Sequence, residues 1–282
     1  MNIPYDASRE ALFRPQTAPT AFGSASDPGL QALAVEASRL AYLRAEAAEA
    51  GRLATDLAAA GFGQPAVFVD AGHDAQAYAA MRDDRLALIA FRATEADRLA
   101  DLLTDAQFLK VPYSQAHPGR VHQGFLSSAR ALESHARAWL DGPAAGRKRL
   151  VLCCHSLGAA IATLLAVPLG ATHLVTIGSP RVGDAAFAAA IDAAPIDAVR
   201  IVDARDVVTR VPPRRLFGYR HTQRAVFIDV QGVRHESPTP DQADADLAPG
   251  RALAIAGSLV AGELPRDLTD HAAINYVRAD CP

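Results

Sequence analysis

Apolar positions along the chain recur with a helical period near the start and then fall into short β-like runs that alternate with helical stretches. Asp27-Pro28 is a helix start, and from Leu30 to Ala60 the residues Leu33, Ala37, Leu40, Ala41 and Tyr42 sit at helical spacing. This predicts one long helix or two short ones, ended near Gly61 and Gly63. Strands are predicted at 66–70, 75–81 and 86–91, with Asp83-Asp84 as the turn of a hairpin between the last two. After them come a helix over 124–140, a strand over 150–154, a helix over 157–167, a strand over 173–177, a helix over 184–191, and strands over 199–202 and 225–230. Elements in this order argue for an α/β protein of three layers, a mostly parallel central sheet flanked by helices. Two helical segments, 250–261 and 268–279, close the chain. Residues 1–27, rich in Pro, Ser, Thr and Ala without a sustained period, read as an N-terminal extension draped on the surface, which leaves 28–282 as a single domain. The stretch Ser237 to Asp244, with Pro238 and Pro240, reads as a surface loop.

Composition narrows the partners. Of 282 residues, 50% are hydrophobic and 21% charged, enough apolar material for a sizeable core. A net charge of -3 supplies no basic excess for a phosphate backbone, so nucleic acid is not an expected partner. Cys153, Cys154 and Cys281 are too few and too oddly placed for a disulfide framework, and reduced thiols are expected. The first ten residues carry Asp6, Arg9 and Glu10 and lack the apolar run of a secretory signal, so the default expectation is a cytoplasmic protein, with signal-less secretion as the other route. No window reaches the length of a charge-free membrane span.

The segment from Arg149 to Ala162 concentrates the candidate chemistry. An apolar strand runs straight into an alanine-rich helix through Cys154-His155-Ser156-Leu157-Gly158. A serine at such a strand-turn-helix junction is a nucleophile elbow: its backbone is strained, its neighbours two before and two after must be small, and the helix N-terminus behind it favours negative charge. Gly158 meets that need, whereas Cys154 stands where glycine is usual and tightens the turn. The other reading is a buried strand followed by a helix capped by Ser156. A serine nucleophile requires a histidine base and a carboxylate, and in α/β-hydrolases both follow the serine in the order acid, then base. The acids after the strand 199–202 are Asp203 and Asp206; the histidines after Ser156 are His173, His221, His235 and His271. Leu157 N–H, next after the nucleophile, is a candidate oxyanion donor.

Five blocks in order resemble the class 3, fungal-type lipase family of the α/β-hydrolase superfamily over roughly residues 66–279. They are Ile89-Ala-Phe-Arg-Ala-Thr94; Val121-His-Gln-Gly-Phe125; His155-Ser-Leu-Gly158; Thr176-Ile-Gly-Ser-Pro-Arg-Val-Gly-Asp184; and the run from Val202 to Pro213 followed by Gly218-Tyr-Arg-His221. The resemblance implies an α/β-hydrolase fold and an esterase acting on lipids, a triacylglycerol lipase or carboxylesterase, with Ser156, Asp206 and His271 as triad. The last of these lies in Asp270-His-Ala-Ala-Ile-Asn-Tyr276, which is similar to the family's closing block. It further implies Thr94 as the second oxyanion donor, with Ala93 in place of the usual glycine, and Asp105 as the anchor of the Thr94 hydroxyl. No metal or cofactor is implied. His155 is read as packing or hydrogen-bonding beneath the site.

Between Thr94 and Phe108, Leu99, Leu102, Leu103 and Ala106 fall at helical spacing opposite Asp97, Asp101 and Asp105. In the resembling lipases this stretch is a lid, so 95–108 is the expected place of any transient contact with a lipid surface; an ordinary amphipathic surface helix has the same pattern. A phospholipase A1 and a non-catalytic hydrolase-like binding protein are the alternative functions, the second suggested by Cys154, Ala93 and Ala159 at usual glycine positions.

Overall fold

The computed structural model describes residues 3–23, 29–45, 48–73, 75–92, 108–114, 117–248 and 250–280. Thr94, Asp105 and the amphipathic stretch 95–107 lie outside them.

A twisted sheet of eight described strands forms the middle layer. In chain order these are β1 (Ala66–Asp70), β2 (Ala75–Met81), β3 (Leu86–Arg92), then, past two short strands β4 (Lys110–Pro112) and β5 (Arg120–His122), β6 (Arg149–His155), β7 (His173–Ile177), β9 (Asp197–Asp203), β11 (Arg224–Ile228) and β12 (Arg234–His235). The order across the sheet is β1-β2-β3-β6-β7-β9-β11-β12. The pairs from β3 to β11 are all parallel, and the antiparallel pairs stand at the two edges. The mostly parallel, three-layer expectation therefore holds. The short β4 and β5 form a separate antiparallel sheet with β8 (Gly183–Asp184) and β10 (Tyr219–Arg220), which the sequence pattern did not announce because strands of two or three residues carry no period.

Alternation along the central strands divides the core in two. Leu86, Leu88, Ala90, Val151, Cys153, Val175, Ile177 and Ile201 face one side, and Ala87, Ile89, Phe91, Leu150, Leu152, Cys154 and Leu174 the other. The first face is covered by the helix Leu30–Leu40 and the C-terminal helix Ala273–Asp280. The second is covered by the helices Gln123–Asp141 and Leu157–Ala166, which pack on each other. Burial on both faces is why the central strands read as continuous apolar runs.

The N-terminal segment corrects an expectation. Its described part, residues 3–23, is not draped on the surface: Ala11, Leu12, Ala21 and Phe22 are buried in the first core, so this part is integral to the domain. A buried ion pair on the helix Leu30–Leu40 fixes it in place. Arg39 binds Glu36 at 2.5 Å and donates to the carbonyl oxygens of Pro15 and Ala18, while Glu36 accepts from the Ala21 N–H and the Thr20 hydroxyl. A charge pair taken out of water is tolerable only when its remaining donors and acceptors are met, and the irregular backbone of 15–21 meets them. The stretch 237–244 likewise differs from a plain loop: Pro240–Asp244 is a short helix with a Thr239–Gln242 capping box.

Candidate active site

The site is assembled at the C-terminal ends of the central strands, where α/β sheets leave room for ligands. β6 ends at His155, and the helix Leu157–Ala166 begins one residue after the serine. At the junction Ser156 takes φ 59° and ψ −131°, outside the range that residues with side chains ordinarily occupy. Its N–H is held by Ile177 O of the neighbouring strand at 3.1 Å, so the strain is supported by the sheet. The turn is crowded as well. Cys154 Sγ lies against Phe91 O, and a side chain at Gly158 would collide with that same thiol. Only glycine fits at 158.

Three groups meet here in one relay. His271 Nε2 stands 2.8 Å from Ser156 Oγ, and His271 Nδ1 stands 2.9 Å from Asp206 Oδ2. All three residues are buried. The same Asp206 oxygen accepts the Tyr276 hydroxyl at 2.6 Å, and Asp206 Oδ1 accepts the Val208 N–H at 2.8 Å. Burial by itself pushes the Asp206 carboxyl up, but the His271 imidazole and the Tyr276 hydroxyl outweigh it, and the carboxyl ends below its ordinary value. It is therefore an anion at neutral pH, able to fix the imidazole tautomer with Nδ1 protonated and Nε2 turned as an acceptor toward the serine hydroxyl.

Other candidate residues are elsewhere. His173 bonds its neighbour Thr172, His235 pairs with Asp229, and His221, a buried neutral ring, donates from Nε2 to the Thr209 carbonyl oxygen at 2.7 Å, its pKa held well below the ordinary value by burial and by Arg200 and Arg181. Asp203, the rival acid, does not reach His271. Burial, Asp270 and Asp206 push its carboxyl up to about 9, so it is protonated at neutral pH. His155 is beneath the site as expected. Burial and His271 hold it well below its ordinary value; as a neutral ring it donates from Nε2 to the His271 carbonyl at 2.7 Å and accepts the Tyr42 hydroxyl at Nδ1, 2.6 Å away. Cys153 and Cys154 are buried, with the Cys153 thiol pushed up to about 12 by burial and Cys154 well above its ordinary value, so neither is a nucleophile.

Sequence reasoning passed over Gly178 and Tyr276. Gly178 has φ 58°, and a Cβ there would come within 2.8 Å of Asp206 Oδ2 and 3.1 Å of His271 Cε1. Its one signal is a glycine directly after an apolar strand, in Thr176-Ile-Gly-Ser-Pro. Tyr276 was visible only as a residue of the last block. Leu157 opens the helix behind the serine, so its N–H has no acceptor within that helix. Thr94 and Asp105 cannot be set beside it, being outside the described residues. Among the described residues no group of three or more His, Cys, Asp or Glu side chains is arranged to hold a metal ion. A cleft of about 600 Å³ lined by Phe108, Val211, Leu216 and Leu247 includes none of Ser156, Asp206 and His271 among its described lining residues.

A parallel sheet with a strained serine at the end of β6, followed in chain order by an acid and a histidine, defines an α/β-hydrolase fold. Comparison with known proteins narrows the class. A family model described as "Lipase (class 3)" matches residues 88–216. The lipase of Rhizomucor miehei is 30% identical over 168 residues, 55% of this chain and 46% of that protein. The secreted mono- and diacylglycerol lipase 1 of Fusarium solani is 34% identical over 115 residues, 39% of this chain and 34% of that protein. The chain thus spans less than half the length of these two relatives. Among solved structures, a triacylglycerol lipase whose catalytic centre is a serine protease triad superposes with a TM-score of 0.63 at 26% identity, covering 76% of this chain and 85% of the other. Over residues 88–216 the chain is thus similar to the class 3 lipases, and its fold is that of the α/β hydrolases.

Proposed function

We propose that the protein is a serine hydrolase that cleaves carboxylic esters of lipids through an acyl-enzyme, acting as a triacylglycerol lipase or carboxylesterase. The observation that carries this reading is the relay from Asp206 through His271 to Ser156, with the serine strained at the tip of its elbow. His271 Nε2 takes the hydroxyl proton as Ser156 Oγ attacks the ester carbonyl, and Asp206 stabilises the imidazolium that forms. The Leu157 N–H, with Thr94 as the second donor and Asp105 holding the Thr94 hydroxyl, receives the developing oxyanion, an effect of roughly 3–4 kcal/mol per strong donor. The alcohol then leaves with the proton from His271. Water, deprotonated by the same ring, attacks the acyl-serine, and the free acid departs as Ser156 is restored. No step in this sequence calls on a metal or cofactor.

Lipid esters are favoured because the relatives above are named lipases, one a mono- and diacylglycerol lipase and another a triacylglycerol lipase. The amphipathic stretch 95–108 supports a transient contact with a lipid surface. Among the described residues no helix is long and apolar enough to cross a membrane.

The test is a panel of p-nitrophenyl esters of increasing chain length, a triacylglycerol emulsion and a phospholipid, each offered to wild type and to Ser156→Ala. Hydrolysis of the longer esters and of the emulsion is expected, with kcat falling by roughly 10⁵-fold in the variant. A maximum on the shortest soluble esters would remove the lipid, and activity surviving in Ser156→Ala would remove the serine mechanism. Preference for the phospholipid would make the enzyme a phospholipase A1. Folded protein that a fluorophosphonate leaves unlabelled at Ser156 would be a binding protein.

A further inference from the structure

Ser156 and Asp206 are anchored by the central sheet, but His271 is not. It sits on a turn between two helices, the four-residue helix Arg266–Thr269 and the C-terminal helix Ala273–Asp280, with its N–H on Leu268 O at 3.0 Å. A base on such a turn requires outside support, because an imidazole displaced by about 1 Å can lose on the order of 10²-fold in rate. One support is His155, on the carbonyl of His271. The rest comes from the other end of the chain.

Residues 5 and 6 bind three residues around the base. The Tyr5 hydroxyl donates to Asp270 Oδ1 at 2.7 Å and lies 2.7 Å from Thr269 Oγ1, which donates to it. The Asp6 N–H donates to Asn275 Oδ1 at 2.9 Å, and Asn275 Nδ2 returns a bond to Asp6 O at 2.8 Å and adds one to Thr269 O at 2.9 Å. The Tyr5 ring is flanked by the Arg266 and Arg278 guanidiniums, 4.7 and 5.3 Å from its centroid, and Arg266 Nε shares Asp270 Oδ1 with the Tyr5 hydroxyl. Immediately after this contact the helix Arg9–Phe13, capped by the Ser8 hydroxyl, buries Ala11 and Leu12 in the core, so the strap is itself held.

We infer that the N-terminal strap is part of the catalytic apparatus, with Tyr5 a positioning residue that holds the turn carrying His271 through Thr269 and Asp270. The inference rests on the proposed hydrolase mechanism. Tyr5 touches no reacting atom; it acts by keeping Nε2 at hydrogen-bond distance from Ser156 while charge moves onto the ring. Asp270 lies directly before His271, so the Tyr5 bond bears on the backbone that carries the base rather than on a remote part of the fold.

The experiment is steady-state ester hydrolysis by wild type, Ser156→Ala and Tyr5→Phe, with active sites counted by exhaustive fluorophosphonate titration and thermal melts recorded alongside. Tyr5→Phe keeps the ring between the two guanidiniums and removes only the hydroxyl. We expect kcat per titrated site to fall about ten-fold at unchanged KM, the size associated with loss of one hydrogen bond to a charged group, at temperatures well below the melt. A kcat within two-fold of wild type overturns the strap's role while leaving the hydrolase reading intact. A fall fully accounted for by fewer titrated sites also overturns it, because that is the signature of lost folded protein. A wild type that neither hydrolyses an ester nor labels at Ser156 overturns the hydrolase reading itself.

Discussion

At the scale of single residues, the proposed triad is held by groups with no proton to give or take from the substrate. Tyr276 and Gly178 are the clearest. Burial, Asp206 and Asp203 drive the Tyr276 phenol well above its ordinary pKa, so it remains a donor and never an anion beside Asp206. Tyr276→Phe removes the 2.6 Å bond to Asp206 Oδ2 and should lower kcat for an ester roughly ten-fold or more, since hydrogen bonds to buried charged groups contribute about 1.5–3 kcal/mol. Steady-state kinetics on purified variant checks this, and an unchanged kcat would mean that His271 and the Val208 N–H suffice to orient the carboxylate. Gly178→Ala should be more severe. Its φ of 58° strains any side chain, and the added methyl would meet Asp206 Oδ2 at 2.8 Å and His271 Cε1 at 3.1 Å, wedging the two partners apart. Loss of kcat with the melting temperature only modestly lowered is the expected pattern; normal turnover would show that the turn after β7 can shift without disturbing the relay.

At the scale of elements, what the sequence makes legible follows from the strength of local patterns. β1, β2 and β7 fall where alternating or continuous apolar runs place them, and the helices over 123–141 and 157–166 agree within a residue or two, because each has a period and a face. The elbow was legible because strand, serine and small-residue helix are contiguous. The order of acid and base after it was legible too, but the choice of Asp206 over Asp203 came from resemblance, since the physical difference between them is tertiary: one carboxyl finds an imidazole and the other finds a carboxyl. The four-stranded small sheet, the Pro240–Asp244 helix and the burial of 11–22 had no comparable signal. They are fixed by partners far away in the chain, such as the Arg39–Glu36 pair and the buried Arg181 that binds Asp244. The elbow also yields a prediction of its own. Because burial pushes the Cys153 thiol up to about 12 and Cys154 higher than usual, folded protein carrying Cys281→Ser should react with a thiol reagent only as fast as it unfolds. Rapid modification under native conditions would indicate that the strand ends open, and with them the seat of Ser156.

At the scale of the whole molecule, the interior behind the triad is a pH-sensitive part of stability. Asp203 and Asp270 share a buried space with Asp206: Asp270 Oδ1 takes the Tyr5 hydroxyl and Arg266 Nε, and burial beside these two carboxyls keeps the Asp203 carboxyl protonated. The two acids titrate in opposite senses. Asp206 is depressed in the folded state, so its contribution is present above the ordinary carboxylate range and is lost as the medium is acidified through its folded value. Asp203 is raised to about 9, so its contribution is complete below the ordinary value of about 3.9 and is lost as pH rises toward 9, with a slope of about 1.4 kcal/mol per pH unit for each proton involved. Asp203→Asn replaces the protonated acid with a neutral group of the same shape that cannot ionise. Melting curves of variant and wild type between pH 5 and 9 should diverge, the variant gaining stability relative to wild type as pH rises and least at pH 5. The difference between the two curves isolates this carboxyl from the buried neutral His155 and His221, which bear on both proteins equally. Parallel curves would mean that the Asp203 carboxyl ionises in the folded state at ordinary pH.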